Sequence, residues 1–215
     1  MFGRSLILVV CAVLLCGGAA LAGDNNTLTL TQTSDGGSLG NSFYADQSNS
    51  SGNTIHATQN GNGNVAHIVT NGLCDVGLDK SCGATVDQNN AGLETNLPSF
   101  TVDGQQARNY VSVTTQGDST AAVSQLGDGN SATLNIIDGS GTVNQNGNGN
   151  TASLTVEDGT IGTITQNSNN NSAALTVTGL PGAAASLTQN GGGKSYGPIT
   201  VSTPTAGLPV TITQY

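Results

Sequence analysis

The sequence predicts an all-β protein: a two-sheet β-solenoid of stacked strand–turn–strand repeats, each about 20–23 residues long. Three features of the 215-residue chain support this fold class. A sequence pattern recurs at a nearly fixed period, apolar residues alternate with polar ones within each repeat, and Asn–Gly pairs separate the alternating runs.

Large side chains are scarce, with no Trp, 3 Phe, 4 Tyr and 1 Met against 31 Gly. A conventional globular domain buries most of its surface with larger residues. Disorder is the other outcome for such a composition, but a charged fraction of only 8% argues against ordinary polar disorder. The periodicity therefore favours a thin, repetitive β-structure.

One repeat is an alternating run that ends in Gln, then four residues, then Asn-x-Ala-x-apolar. Its copies occupy residues 59–68, 125–134, 145–154 and 166–175. Successive glutamines at this position, Gln125, Gln145, Gln166 and Gln189, are 20, 21 and 23 residues apart. Self-similarity at a fixed period of this length is the signature of a solenoid.

A second pattern, Asn-x-apolar-x-apolar-x-Gln, occupies residues 26–32, 41–47 and 53–59. Such strict alternation predicts a β-strand with one buried face. Asn–Gly pairs at 60–61, 62–63, 146–147 and 148–149 stand between the strands. Asn and Gly tolerate the positive φ that a tight reversal requires.

Stacking of these units places equivalent side chains about 4.8 Å apart along the stack. Apolar residues of one parity then form columns between the two sheets. The predicted core comprises Ala121, Val123, Ala132, Leu134, Ile136, Val143, Ala152, Leu154, Val156, Ile164, Ala173, Leu175, Val177, Ala185 and Leu187.

Amide side chains form columns in the same way, and each amide can donate to one neighbour and accept from the other. Such ladders satisfy groups that are costly to bury unpaired. They are predicted to set the strand register and to mediate self-assembly. The predicted members are Asn26, Gln32, Asn41, Gln47, Asn53, Gln59, Asn64, Gln125, Asn130, Gln145, Asn150, Gln166, Asn171 and Gln189.

Residues 1–22 have the features of a secretory signal peptide: a positive start, an apolar stretch and the small-x-small sequence Ala20-Leu21-Ala22. The apolar stretch is too short for a membrane anchor, so no membrane insertion is predicted. We therefore expect the protein to be secreted.

The chain without residues 1–22 keeps Lys80, Arg108 and Lys194 against 13 acidic residues, a net charge of −10. Three scattered bases cannot neutralise a run of phosphates, so nucleic acid is not an expected partner. The same acidity argues against binding to anionic lipid surfaces.

No enzyme, metal or cofactor is predicted. Two His residues and acids confined to turns cannot form an acid–base constellation. Residues 127–129 and 147–149 resemble calcium-binding nonapeptides, but the recurrent Asp is missing. Cys74 and Cys82 are interpreted as one disulfide, with a metal or redox site involving His56 or His67 as the less favoured alternative.

These repeats resemble the curlin repeat, whose motif is approximately Ser-x5-Gln-x-Gly-x-Gly-Asn-x-Ala-x3-Gln. Residues 59–66, 125–132 and 145–152 match its centre, whereas residues 166–173 lack both glycines. The Gln214-Tyr215 end is similar to the terminus of the major curli subunit. Near the family's second Gln stand Thr70, Ile136, Val156 and Val177.

The resemblance implies a secreted functional-amyloid subunit of bacteria. Such a subunit is exported unfolded through an outer-membrane secretion pore. It then polymerises with itself, on a nucleator subunit, into extracellular fibres (fimbriae) of the biofilm and adhesion matrix. A solenoid with open ends would assemble head to tail, because its terminal strands offer unpaired main-chain groups.

Five segments are predicted: a signal peptide (1–22), N-terminal repeats (23–70), an insert that interrupts the stack (71–108), further repeats (109–189) and a degenerate C-terminal repeat or cap (190–215). Turn acids are predicted to point outward and to act as gatekeepers that limit association at neutral pH. They are Asp118, Asp128, Asp138, Glu157 and Asp158.

An alternative function is a monomeric, capped β-solenoid that acts as a secreted adhesin or surface-binding module, for example one that orders ice. Such a module needs a flat outer face with one repeated residue type. Thr142, Thr155, Thr163 and Thr165 are suggestive, but the equivalent positions 122 and 124 are Ala and Ser.

Overall fold

The computed structural model describes residues 8–11, 18–22, 26–33, 41–48, 50–73, 83–89, 100–102, 105–107, 109–203 and 209–215. The regular secondary structure of these residues is entirely β-strand, without a helix. Two long parallel sheets contain most of the strands, which are numbered along the chain.

The first sheet carries a column of glutamines, and we call it the Gln sheet. Its spatial order is β1 (Leu8–Cys11), β3 (Thr27–Thr33), β6 (Thr54–Asn60), β8 (Gly83–Asn89), β12 (Thr120–Leu126), β14 (Ser140–Asn146), β16 (Ile161–Asn167), β18 (Ala184–Asn190) and β20 (Pro209–Gln214).

The second sheet has an asparagine before most of its strands or at their first residue, and we call it the Asn sheet. Its order is β2 (Gly18–Ala22), β4 (Ser42–Gln47), β7 (Asn64–Leu73), β11 (Asn109–Gln116), β13 (Ser131–Ile137), β15 (Thr151–Val156), β17 (Ser172–Gly179) and β19 (Ser195–Thr203). The short β5 (Ser50–Ser51) pairs with β7, and β9 (Phe100–Val102) pairs antiparallel with β10 (Gln105–Ala107).

From β11 to β20 the chain alternates between the two sheets at every strand, and each pair of strands completes one turn of a coil. The described chain makes about six such turns. The predicted two-sheet β-solenoid is therefore confirmed. Its register follows the repeat, because Val123, Val143, Ile164 and Leu187 are directly paired neighbours in the Gln sheet.

The core lies between the two sheets, where every predicted core residue is buried. Two inward positions were not predicted, Gly141 and Gly162, which share a column with Ala121 and Ala185. A Cβ added at Gly162 would lie 2.8 Å from Leu154 Cδ1 and from Val156 Cγ2. Small residues of the Gln sheet thus leave room for large residues of the Asn sheet.

The predicted insert, 71–108, does not fully interrupt the stack. Strand β8 lies inside it and pairs in register with β6 on one side and β12 on the other. Its sequence, Ala84-Thr-Val86-Asp-Gln88, has the alternation of the other repeats. Cys74 and Cys82 lie outside the described residues, so their disulfide stays a prediction.

The C-terminal segment continues both sheets. Strand β20 pairs with β18 without a shift, whereas β19 pairs with β17 through a register shift that brings Pro198 opposite Ala174. Proline lacks the N–H that a regular ladder needs, which accounts for an irregularity at this position.

At the other end, β1 pairs with β3 and β2 pairs with β4. Both β1 and β2 belong to the predicted signal peptide, whose cleavage stays a prediction. In the described part of the chain, no helix is long and apolar enough to span a membrane.

Candidate functional site

A continuous ladder of glutamine side chains runs through the Gln sheet. In seven consecutive hydrogen bonds, Nε2 of one residue donates to Oε1 of the next. The donor–acceptor distances from Gln59 onward are 2.9–3.2 Å. The members are Gln32, Gln59, Gln88, Gln125, Gln145, Gln166, Gln189 and Gln214.

The same glutamines also join the two sheets. Nε2 of Gln145 donates to the main-chain carbonyl of Ser131 at 2.9 Å, and Gln166 makes the equivalent bond to Thr151. Ser131 and Thr151 are the first residues of β13 and β15, in the Asn sheet. Each interior Gln amide thus uses both of its N–H groups and its oxygen, which satisfies a buried polar group fully.

The asparagines behave differently from the prediction of amide-to-amide ladders. Oδ1 of Asn109, Asn130 and Asn150 accepts from the main-chain N–H of the next asparagine along the stack, at 3.0–3.1 Å. Asn171 accepts in the same way from the N–H of Lys194. Because the Asn side chain is one carbon shorter, its amide stays close to the backbone and bonds to it. The Asn column also includes Asn41 and Asn64.

Two Nδ2 groups of this column tie a strand to a turn in the next layer along the stack. Asn109 donates to the carbonyl of Gly127 and Asn130 to that of Gly147, both at 2.8 Å. Between the first members, side-chain bonds do occur, with Nδ2 of Asn109 donating to Oδ1 of Asn64 at 3.2 Å. The column therefore holds turns in place as well as strands.

Three predicted ladder residues lie elsewhere. Asn26, Gln47 and Asn53 form a local group at the opposite edge of the first turns. Nδ2 of Asn26 donates to the carbonyl of Gln47, and Nε2 of Gln47 donates to that of Asn53. Gln47 is therefore outside the Gln ladder. Gln47 points into the core from the Asn sheet. The equivalent inward positions on the following strands of that sheet form a column of Thr70, Thr115, Ile136, Val156, Val177 and Val201.

That column marks a departure from the curlin pattern, in which a second Gln would be expected. Thr115 is 1% exposed and Ile136, Val156 and Val177 are fully buried. The stack thus has one glutamine ladder, and apolar side chains occupy the position of the second along most of its length.

Sequence reasoning missed Gln88, Gln214 and Asn109, which belong to the two columns. The period is broken around Gln88, with 29 residues between Gln59 and Gln88 and 37 between Gln88 and Gln125. The alternation Val86-x-Gln88 and Asn109-x-Val111-x-Val113 was the available signal.

The turns that follow the Gln-sheet strands contain two positions with positive φ, usually glycine. At Gly147 and Gly149 the φ values are 127° and 68°, and the equivalent Ser168 and Asn170 adopt 97° and 58°. A Cβ at Gly147 would lie 2.3 Å from the main-chain oxygen of Ser168. Glycine at 147 is thus required both by its conformation and by the closely stacked neighbouring turn.

We expect Ser168→Gly to raise the free energy of unfolding by about 1 kcal/mol, because it relieves a left-handed conformation that costs a side-chain-bearing residue about 1–2 kcal/mol. The matched variant Gly147→Ser should lower it by about 2 kcal/mol or more, since it adds such strain and a backbone clash. Guanidinium titration of both variants measures the effect. A loss of stability in Ser168→Gly would contradict this account of the turn.

Three of the five predicted gatekeepers, Asp138, Glu157 and Asp158, are exposed, and Asp118 is half-buried. Asp128 is 2% exposed, so the prediction that it points outward is wrong. It occupies the middle of the turn between Gly127 and Gly129 and packs against the next turn, where its N–H donates to Oδ1 of Asn148.

One acidic side chain on the outer face of the Asn sheet has a shifted pKa. Hydrogen bonds from the Ser48 side chain and main-chain N–H lower the pKa of Asp46 below its ordinary 3.8, burial opposes this, and the nearby His67 adds a small lowering. A lowered pKa makes this contact stabilising above the ordinary value, and the stabilisation is lost as the pH falls through the folded pKa. The contact thus persists at pH 4.5.

Among the described residues, no group of three or more His, Cys, Asp or Glu side chains is placed to hold a metal ion. His67 instead packs edge-on against Tyr44, with ring centroids 4.5 Å apart. His56 is exposed on the Gln sheet.

No protein-family model matches this chain. No curated protein and no solved structure matches it either. The curlin resemblance of the repeats thus remains an expectation drawn from the motif.

Proposed function

We propose that the chain is a secreted structural subunit that assembles head to tail into curli-like amyloid fibres outside the cell. The observation that carries the proposal is the Gln ladder, which continues unbroken to Gln214 in the last strand of the Gln sheet. Each junction within the stack thereby provides a template for a junction between copies.

The C-terminal end of the stack exposes the edge of each sheet. Val210 and Ile212 of β20 and Ile199 of β19 are only partly buried. Their neighbours one layer inward, Ala185, Leu187 and Leu175, are at most 4% exposed. Covering this end with another copy removes apolar surface from water and pairs the main-chain groups of the edge strands.

The N-terminal repeats offer a matching surface. Strand β3 carries Leu28, Leu30 and Gln32 at the positions that correspond to Val210, Ile212 and Gln214 of β20. In the full chain, β1 and β2 pair with this end. Removal of the predicted signal peptide frees it. A head-to-tail contact between different surfaces does not close, so it generates a filament.

The biological setting follows from the curlin resemblance. By that resemblance the fibre is a fimbrium of the biofilm and adhesion matrix, its subunits leave through an outer-membrane secretion pore, and a nucleator subunit starts growth. In this proposal, hydrogen bonds of the amide columns and main-chain pairing at the open edges hold successive subunits together.

The test is to dilute residues 23–215 from denaturant and follow thioflavin fluorescence and fibre diffraction. We expect a lag that preformed fibres abolish, and reflections near about 4.8 and 10 Å. A stable, monodisperse, β-rich monomer would overturn the proposal and favour the alternative of a capped surface-binding module.

A matched pair of edge variants tests the direction of growth. Ile199→Lys should slow seeded elongation more than tenfold, because a buried, unpaired charge at the junction costs several kcal/mol and about 1.4 kcal/mol is a factor of ten. Thr200→Lys, at the adjacent exposed position, should leave elongation nearly unchanged. Equal rates for the two variants would count against β19 as a growing edge.

Assembly of residues 23–215 should be severalfold faster at pH 4.5 than at pH 8, because the net charge approaches zero near the sequence pI of about 4.1 and repulsion between subunits falls. At pH 8, the triple variant Asp138→Asn, Glu157→Gln, Asp158→Asn should recover part of this acceleration. Lag times from thioflavin kinetics measure both effects. Equal lag times at the two pH values would exclude the gatekeeper role.

A further inference from the structure

We propose that the outer face of the Gln sheet from β12 to β20 joins two filaments side by side, with the same face of a second copy as its partner. The inference rests on the proposed function, because it concerns how the filaments associate after they form. We call this surface the lateral face.

The lateral face is regular. Strands β12, β14, β16, β18 and β20 pair in one register without a shift. Side chains on it are about 4.8 Å apart between strands and about 6.8 Å apart along a strand. From β14 to β20 its two middle columns consist of Thr142, Thr163, Ser186 and Thr211, and of Asn144, Thr165, Thr188 and Thr213.

The lateral face is uncharged, although the whole chain has a formal charge of −9. Outward positions on β12, β14, β16, β18 and β20 contain no Asp, Glu, Lys or Arg. The uncharged area ends at β8, where Asp87 takes the outward position next to Ser124. Asp138, Glu157 and Asp158 lie in turns at one side of the solenoid. Two copies of an acidic protein can therefore meet through this face without opposing like charges.

Exposed apolar side chains border the same face. Leu126 is 50% exposed at the end of β12, Ile161 is 46% exposed at the start of β16, and Tyr215 is 85% exposed after β20. They are three of the five large apolar residues that are exposed in the described part of the chain. The outer side of the Asn sheet is less regular, because the register shift at Pro198 interrupts it.

The area of the lateral face indicates whether single subunits or only filaments associate through it. Five strands about 4.8 Å apart and seven residues of about 3.3 Å each give roughly 24 by 23 Å, or about 550 Å² per copy. A stable interface buries about 800 Å² per partner, so two single subunits should not form a lasting dimer. A filament repeats the contact at every subunit, and this multivalency makes pairing of filaments stable.

Small side chains on this face permit close approach. Thr, Ser and Asn interdigitate in the dry interfaces that form between paired sheets at about 10 Å separation. Thr also loses little side-chain freedom there, because its branched Cβ already restricts χ1.

The experiment measures mass per unit length of fibres of residues 23–215 by dark-field electron microscopy. We expect two chains per axial repeat in the parent fibre. The variant Thr163→Lys, Thr165→Lys places two like charges on the lateral face and should halve this value, while seeded elongation is unchanged. The matched control, Ser153→Lys with Thr155→Lys on β15 of the Asn sheet, should keep two chains per repeat.

Single filaments in the parent protein would overturn lateral pairing and leave the face to another ligand. Paired filaments in the Thr163→Lys, Thr165→Lys variant would overturn it as well. Both outcomes leave the proposed function intact, because the fibres form. Absence of fibres from every variant, the parent included, would overturn the proposed function itself.

Discussion

Replacing Gln145 by Leu should lower the free energy of unfolding by about 4 kcal/mol. The substitution nearly preserves side-chain volume but deletes three hydrogen bonds: one from Gln125, one to Gln166 and one to the carbonyl of Ser131. The groups that bonded to Gln145 then stay buried without a hydrogen-bond partner. Each such unsatisfied group lowers the stability by about 1–3 kcal/mol.

The measurement is guanidinium unfolding followed by far-ultraviolet circular dichroism. Asn146→Ala is the matched control, because Asn146 is the next residue but is exposed on the outer face. An exposed substitution of this kind should change stability by less than about 0.5 kcal/mol. A loss below 1 kcal/mol in Gln145→Leu would mean that the Gln ladder sets register without stabilising the stack.

Leu154→Ala should destabilise the fold by about 3 kcal/mol, within the range of about 2–5 kcal/mol for large-to-small changes in a packed core. Leu154 is 1% exposed between Leu134 and Leu175 in its own sheet. Because both neighbouring layers are held by ladder hydrogen bonds, the stack cannot collapse fully into the cavity.

A double-mutant cycle with Gly162→Ala tests the contact between the sheets. Gly162→Ala alone should destabilise, since its Cβ would lie 2.8 Å from Leu154 Cδ1. In the Leu154→Ala background that methyl group is gone, and the cost should fall, although contact with Val156 Cγ2 remains. Strictly additive effects would show that the two residues do not share this space.

The fold could be predicted from the sequence because every repeat has apolar residues at the same positions, and these positions specify the strand register. Leu134, Leu154 and Leu175 occupy the same place in three repeats, and pairing them in register buries all three at once. Any shift by one residue would expose them, since alternate side chains point to opposite faces. The Gln ladder follows from the same register.

The sequence did not predict strand β8, because the repeat period is broken on both sides of it. Strand β8 has the correct alternation, but intervals of 29 and 37 residues separate Gln88 from its neighbours, so a period of about 20 residues does not identify it. Among the described residues between β8 and β11, strands β9 and β10 form a separate two-stranded sheet outside the two long sheets. A parallel stack tolerates long insertions at its turns because loop closure costs little more as length increases.

The sequence by itself determined the two-sheet solenoid, most of its core columns and the regularly spaced part of the glutamine ladder, because these depend on periodicity. The tertiary structure decided what a single strand does not encode. It placed Asp128 inside the stack, directed the asparagine oxygens to main-chain N–H groups, and made Gly162 a core position. The physical reason is that each of these features depends on contacts with the neighbouring layer or with the facing sheet. The distances between layers and between sheets are set only when the turns stack.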